Sequence, residues 1–270
     1  APALVGCRST RCEPCKTCRR SRAAKHPSTL KLGKTMQHNR LLNLLKANAQ
    51  AAPLRAETQG EAAHVYLYDV IDAWFGVSAQ MMVDALKSAS GKTVHLHINS
   101  PGGDVFESVA MATAIAAHDG DVIAHIDGVA ASAATRVALA AKEVRIADSG
   151  LMMIHNSWTI AWGNSEEIRK TADLLDKVDT GIVADYARKT GASDQQIRDW
   201  MAAETWFNAQ EALDNKFVDA IDATTQGAAN KAWDLSAYQN APKRQEPAPA
   251  DAVAAQIANR ERKLRLLNLT

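Results

Sequence analysis

Between residues 65 and 155 short apolar runs alternate with glycine-rich breaks. Val65-Tyr66-Leu67-Tyr68-Asp69-Val70-Ile71 reads as a buried strand, and residues 78–87 follow at helical spacing. Val94-His95-Leu96-His97-Ile98 alternates apolar and polar positions as a half-buried strand does, until Asn99-Ser100-Pro101-Gly102-Gly103-Asp104 breaks it. Val105, Val109, Ala112, Ile115 and Ala116 then recur at helical spacing, which completes a strand-turn-helix unit. The scheme repeats, with a strand expected over 122–126, a turn over 127–131 and an alanine-rich helix over 133–141. A third strand is expected over 144–147, and the apolar run Leu151-Met152-Met153-Ile154 ends at His155.

A long helix is predicted over 165–189, with Ser165 as N-cap, Glu166 and Glu167 in its first turn and Gly191 beyond its end. Its apolar stripe is Ile168, Ala172, Leu175, Val178, Ile182 and Tyr186. Helices over 194–201 and 210–213 are expected to flank a strand in Glu204-Thr205-Trp206-Phe207.

This pattern sets Ser132 at a strand-to-helix junction, in the first turn of the alanine-rich helix. Unpaired backbone N–H groups at a helix start and the macrodipole favour negative charge developing there, which an acyl-transfer oxyanion requires. Serine also needs a base to take its proton. His155, delivered by an apolar segment, is the candidate. The other histidines fit worse: His95 and His97 lie on the polar face of a strand, His118 and His125 flank the turn at Gly120, and His26, His38 and His64 lie outside the recognisable core. The pattern is that of a serine hydrolase.

Ile98-Asn99-Ser100-Pro101-Gly102-Gly103, Gly128-Val129-Ala130-Ala131-Ser132, Met153-Ile154-His155 and Phe207-Asn208-Ala209-Gln210-Glu211-Ala212-Leu213 followed by Val218-Asp219 resemble, in order and spacing, the motifs of the ClpP peptidase family. The resemblance spans about residues 65 to 221. It implies an α/β, ClpP/crotonase-like fold of repeated strand-turn-helix units, with the long helix as a handle. It further implies a serine endopeptidase with Ser132 as nucleophile, His155 as base and the N–H groups of Gly103 and Ala133 as oxyanion donors. Family members form ring homo-oligomers, often two stacked heptamers, so the stripe of the long helix is also an interface candidate.

The family's third triad member, an aspartate, falls at Thr205. Three readings stay open: Thr205 orients His155 in a weaker triad, Glu204 reaches in as the carboxylate, or Asp173 or Asp176 substitutes. The Glu204-Thr205-Trp206 segment, the loop with Trp158 and Trp162-Gly163-Asn164, and the run Ala232-Trp233-Asp234-Leu235-Ser236-Ala237-Tyr238 resemble the phage and prophage branch, whose members cleave scaffold and capsid proteins during head maturation. A housekeeping subunit working with a separate Clp-type ATPase is the alternative. The chain carries no Gly-x-x-x-x-Gly-Lys-Ser/Thr motif, so ATP dependence has to come from another protein. A crotonase-like acyl-CoA enzyme, an inactive structural subunit and a Ser-Lys dyad using Lys142 or Lys170 are the remaining alternatives.

Composition then narrows the partners. With 31 Lys and Arg against 30 Asp and Glu, near-neutral balance argues against nucleic acid as the main partner. No apolar run approaches the roughly 20 residues needed to span a membrane, and no secretory signal is recognised, so a cytoplasmic protein is expected. Neither cofactor nor metal is called for by the chemistry. Three regions are expected: 1–60, a basic, cysteine-containing leader and linker; 61–223, the peptidase domain; and 224–270, a tail. Residues 1–35 hold nine Lys or Arg against the single acid Glu13, and all four cysteines, Cys7, Cys12, Cys15 and Cys18. Their C-x-x-C spacing suits zinc, but the pairs overlap in one short stretch without an apolar pattern around them. A basic leader is the preferred reading, with Met36 as an alternative start. Leu41, Leu42, Leu44 and Leu45 suggest a short amphipathic helix before an alanine-rich linker at 47–60. The tail is expected to run through a Pro-rich linker at 242–249 to a helix over 251–269.

Overall fold

The computed structural model describes residues 40–49, 54–223 and 233–242. The cysteine-containing leader, most of the Pro-rich linker and the helix expected over 251–269 lie outside them.

The described chain begins with α1 (Arg40–Asn48), which buries Leu44 and Leu45 and is the amphipathic helix expected there. The linker expected over 47–60 is partly strand. Arg55–Gln59 forms β1, which turns at Gly60 (φ 63°) into β2 (Ala62–Leu67) as an antiparallel hairpin. After α2 (Ala79–Ser88), capped by the Ser78 hydroxyl accepting from the Met81 N–H, come β3 (Thr93–Ser100), α3 (Val105–Ala116), β4 (Val122–Ala131) and α4 (Ala133–Leu139). β5 (Glu143–Ala147), β6 (Leu151–Ile154), α5 (Ser165–Thr190), α6 (Asp194–Ala202), β7 (Thr205–Asn208), α7 (Ala209–Asp214) and β8 (Ala220–Asp222) complete it.

The sheet runs β1-β2-β3-β4-β5-β8, parallel from β2 onward, and β6 joins it by pairing with β4 and β7. Alternate positions on one face, among them Val94, Leu96, Ile98, Ala124, Ile126, Val144 and Ile146, are at most 1% exposed. Burying each Ile, Leu or Val there stabilises the fold by about 1.5–3 kcal/mol. This is the α/β architecture the sequence predicts.

The turn expected over 127–131 is instead the second half of β4. β4 pairs with β5 as far as Ile126 and with β6 from Val129, so one strand changes partner midway. Gly128 lies at the change: a Cβ there would sit 2.8 Å from Asn99 Oδ1, the atom that accepts from the Val129 N–H at 3.2 Å. The glycine therefore serves a close approach between strands rather than a chain reversal.

The cap of the long helix is Asn164 rather than Ser165. Its side chain accepts from the Glu166 and Glu167 N–H groups, and the Glu167 carboxylate returns to the Asn164 N–H, a capping box that Ser165 cannot form because Ile168 stands at the reciprocal position. The C-terminal half of α5 buries Ile182, Val183, Tyr186 and Thr190, and Arg136 of α4 meets Asp185 at 2.7 Å. The N-terminal half leaves Ile168 and Leu174 exposed. None of the described helices is long and apolar enough to cross a membrane.

The other face of the sheet carries a block of histidines. His64, expected outside the core, lies in β2, and His125 lies in β4, within the strand expected over 122–126. Parallel register brings His64 opposite His95 and His97 opposite His125, with ring centroids 5.0 Å apart in both stacks. His64 Nδ1 is 3.2 Å from His97 Nε2, and His97 Nδ1 is 2.9 Å from Asp127 Oδ2. Beside this relay, His95 Nδ1 is 2.9 Å from His125 Nε2, and His125 Nδ1 is 3.3 Å from Asp222 Oδ2. One proton on each Nδ1 satisfies every contact, so both relays are complete with neutral rings.

Burial first, and neighbouring imidazoles second, hold His64 and His125 below the usual histidine value; burial and then His125 do so for His95. Asp222 and Asp127 oppose the shift at His125, Glu57 opposes it at His64, and Arg145 adds to it at His95. A folded value below 6.5 means the unfolded chain binds more protons under acid conditions. Stability is therefore expected to be full above that value and to fall as the pH drops below it. A melting series should show a steady Tm from about pH 8 to about pH 7 and a decline toward about pH 5, before most carboxylates titrate. A flat profile over that interval contradicts this account.

Candidate active site

β4 ends at Ala131 and α4 begins at Ala133, so the whole strand-to-helix reversal falls on Ser132. Its backbone adopts φ 56°, ψ −118°, a conformation that costs a non-glycine residue on the order of 1–3 kcal/mol. The surroundings over-determine it. The Ser132 N–H donates to Met153 O at 2.9 Å, and the Thr135 hydroxyl bonds Ala130 O at 2.7 Å and Met153 O at 2.8 Å. Ser132 is the N-cap of α4 rather than a member of its first turn, and its side chain makes no cap hydrogen bond, which frees Oγ for His155.

β6 carries His155 to the same point, where its Nε2 lies 2.7 Å from Ser132 Oγ. The imidazole stands edge-on to Trp158 and Tyr238, with centroids 4.9 and 5.5 Å away. Burial, with a smaller contribution from Arg40, lowers its pKa to about 4. The ring is therefore neutral at physiological pH and able to accept a proton.

The Pro-Gly-Gly turn is locked against the chain after β2. The Ile71 N–H donates to Gly102 O at 2.9 Å and the Asp104 N–H to Ile71 O at 2.7 Å, which leaves the Gly103 N–H out of the bridge. Gly103 has φ 148°, and a Cβ on it would meet Ile71 O at 2.0 Å. The Ala133 N–H, first in α4, has no intrahelical acceptor. Gly103, Ser132, Ala133, His155 and Trp158 wall one cleft, so two backbone donors that have no acceptor among the described residues share a cavity with the serine and the imidazole. This is the donor arrangement an oxyanion needs.

The structure therefore brings together Ser132, His155, Gly103 and Ala133, but it does not bring a third triad member to His155. Thr205 pairs with Ile154 across β6 and β7, yet its hydroxyl donates to Trp200 O at 2.7 Å. Glu204 Oε1 accepts from the Asn240 N–H at 2.6 Å. Asp173 and Asp176 are exposed on α5. Thr205 is thus drawn off by the carbonyl of the preceding helix, and Glu204 by the tail. Lys142 and Lys170 lie in exposed pairs with Asp121 and Glu166, at 2.7 and 2.8 Å, so neither serves a Ser-Lys dyad. Among the described residues no three His, Cys, Asp or Glu side chains are placed to hold a metal ion.

Tyr238 and Arg40 were invisible as site residues because they lie in the flanks. In the sequence Trp158 and Tyr238 are both markers of the resemblance to the phage branch and not of the site. The one available signal was the pair of aromatics, Trp233 and Tyr238, in an otherwise aperiodic tail. That tail is not wholly extended linker: residues 233–242 fold against the core and bury Trp233, Ala237 and Tyr238.

A family model described as Clp protease matches residues 61–225. An ATP-dependent Clp protease proteolytic subunit 1 from Leifsonia xyli is 26% identical over 147 residues, 54% of this chain and 74% of that one. An ATP-dependent Clp protease proteolytic subunit from Streptococcus agalactiae is 31% identical over 141 residues, 48% of this chain and 68% of that one. A solved structure of a ClpP1 variant from Listeria monocytogenes superposes with a TM-score of 0.54 at 24% identity, over 61% of this chain and 94% of that one, and shares the fold. With the family model spanning more than half its length, the chain belongs to the Clp protease family and is a serine peptidase.

Proposed function

We propose that the chain is a Ser-His endopeptidase. Ser132 Oγ attacks the scissile carbonyl while His155 Nε2 takes its proton, and the Gly103 and Ala133 N–H groups bind the oxyanion. Collapse of the tetrahedral intermediate releases the amine, which leaves with the proton from His155. Water then hydrolyses the acyl-enzyme, with His155 again as base and Ser132 Oγ as the departing group. The observation that carries this reading is the 2.7 Å contact between His155 Nε2 and Ser132 Oγ at the start of α4.

The substrate class we propose is polypeptide in a head-maturation setting, scaffold or capsid proteins, as in the phage branch. Support comes from the Glu204-Thr205-Trp206 segment and from the flanks folded onto the site outside the matched family region. The loop that locks Gly103 also displays Trp74 and Phe75, 87% and 55% exposed, apolar surface suited to an extended chain. The exposed half of α5, with Ile168 and Leu174, supports assembly into a ring. The names of the relatives favour a second reading, a proteolytic subunit that depends on a separate Clp-type ATPase. Incubating the full chain, without nucleotide, with casein and with phage scaffold and capsid proteins separates the two. Cleavage of a structural protein at a few sites without ATP supports head maturation. Casein degradation that requires an added Clp ATPase and ATP, with the structural proteins left intact, supports the second reading.

A further inference from the structure

We propose that Tyr238, which lies outside the matched family region, is a positioning residue for His155: its ring, stacked on Trp158, holds the imidazole in the orientation that a carboxylate supplies in a complete triad. The proposal rests on the Ser132–His155 reading above.

Among the described residues the only hydrogen bond to His155 is the one from Ser132, so no polar partner fixes the rotation of the ring. Two aromatic rings do so instead. Trp158 and Tyr238 stack with centroids 5.4 Å apart and planes 17° apart. The imidazole meets them at interplanar angles of 80° and 77°, standing edge-on to a two-ring wall. Edge-to-face contacts of this kind are directional and resist rotation of the smaller ring.

The wall is anchored where the chemistry needs it. The Tyr238 hydroxyl donates to Pro101 O at 2.5 Å, two residues before Gly103, so one side chain touches both the base and the turn carrying an oxyanion donor. Trp233 Nε1 donates to Asn99 Oδ1 at 2.8 Å, at the start of the same turn. Asn48 of α1 brackets the segment, its Nδ2 donating to Asp234 O at 2.8 Å and its Oδ1 accepting from the Asp234 N–H at 2.7 Å. At the other end Asn240 donates to Glu204 Oε1 and, through Nδ2, to Ala203 O at 2.6 and 2.7 Å. The segment does not plug the site. The Tyr238 hydroxyl also lies within hydrogen-bond reach of the Ser132 side chain, while the cleft on the Gly103 and Ala133 side is walled by residues outside 233–242. The same packing contributes to the burial that keeps His155 neutral.

The test uses the full chain and a fluorophosphonate probe, with the labelling rate constant and the probe affinity measured separately from about pH 4 to about pH 8. Tyr238→Phe keeps the ring and is expected to label within about threefold of wild type with the same acid limb. Tyr238→Ala is expected to lose about 10- to 100-fold in labelling rate at little-changed affinity, with the acid limb moving up toward the free-histidine value. Asn48→Ala, which loosens the segment without touching the imidazole, should shift the limb in the same direction and provides the test if Tyr238→Ala fails to fold. Tyr238→Ala labelling like wild type with an unmoved limb overturns the proposal, and so does faster labelling, which would make the segment a lid. Tyr238→Phe as impaired as Tyr238→Ala also overturns it, because the hydroxyl, through Pro101 O or Ser132, rather than the ring would then be responsible. A wild-type chain that does not label removes the Ser132–His155 reading itself, an outcome distinct from all of these.

Discussion

Replacing Ser132 with alanine is expected to lower peptide cleavage by about 10⁴-fold or more and to abolish fluorophosphonate labelling. Oγ is the only atom lost, and it is the atom 2.7 Å from His155 Nε2. The fold should not suffer, because the Ser132 contacts that hold the reversal are made by its backbone. Ser132→Gly sharpens the comparison. Glycine adopts φ 56°, ψ −118° without the steric cost that serine and alanine bear there, so its Tm should equal or exceed that of Ser132→Ala while activity stays absent. Cleavage or labelling that survives in Ser132→Ala rules this serine out as the nucleophile.

The second large effect is expected from Gly103→Ala. A Cβ at this position meets Ile71 O at 2.0 Å and Ile71 C at 2.9 Å, both backbone atoms that cannot move without opening the bridge between Ile71 and Gly103. The turn must therefore rotate, and the Gly103 N–H leaves the cleft. Loss of one oxyanion donor lowers kcat by about 10²- to 10³-fold, and the forced backbone costs about 2 kcal/mol of stability. The loss should fall on kcat rather than KM, since the donor acts on charge that exists only in the transition state. A substitution that lowers Tm yet leaves kcat near wild type argues against Gly103 as a donor.

The strand-turn-helix units and the Ser132–His155 pair were legible in the sequence for a local reason: a period of two, a Pro-Gly-Gly break and a helical period lie within a few residues of one another. What was not legible depends on partners distant in the chain. The residues of 127–131 look like a turn because Gly128 follows Asp127, and only the presence of both β5 and β6 makes them a strand that changes neighbours. His64 and His125 look unrelated until parallel register lays four imidazoles side by side. The fate of Thr205 was equally out of reach. Its spacing from Phe207 matches a triad position, but whether its hydroxyl turns to His155 or to Trp200 O depends on how α6 ends. Residues 233–242 show no periodicity because they form no regular element. Hydrogen bonds and two aromatic rings hold them in place.

The pairing of Asn48 with Asp234 joins positions 186 residues apart in the chain. During synthesis the whole peptidase core leaves the ribosome before residue 234, so the wall beside His155 forms after the elements that carry Ser132 and His155. A nascent chain exposes the serine and histidine before their setting is complete. The order of synthesis thus places completion of this wall after the peptidase core that it backs.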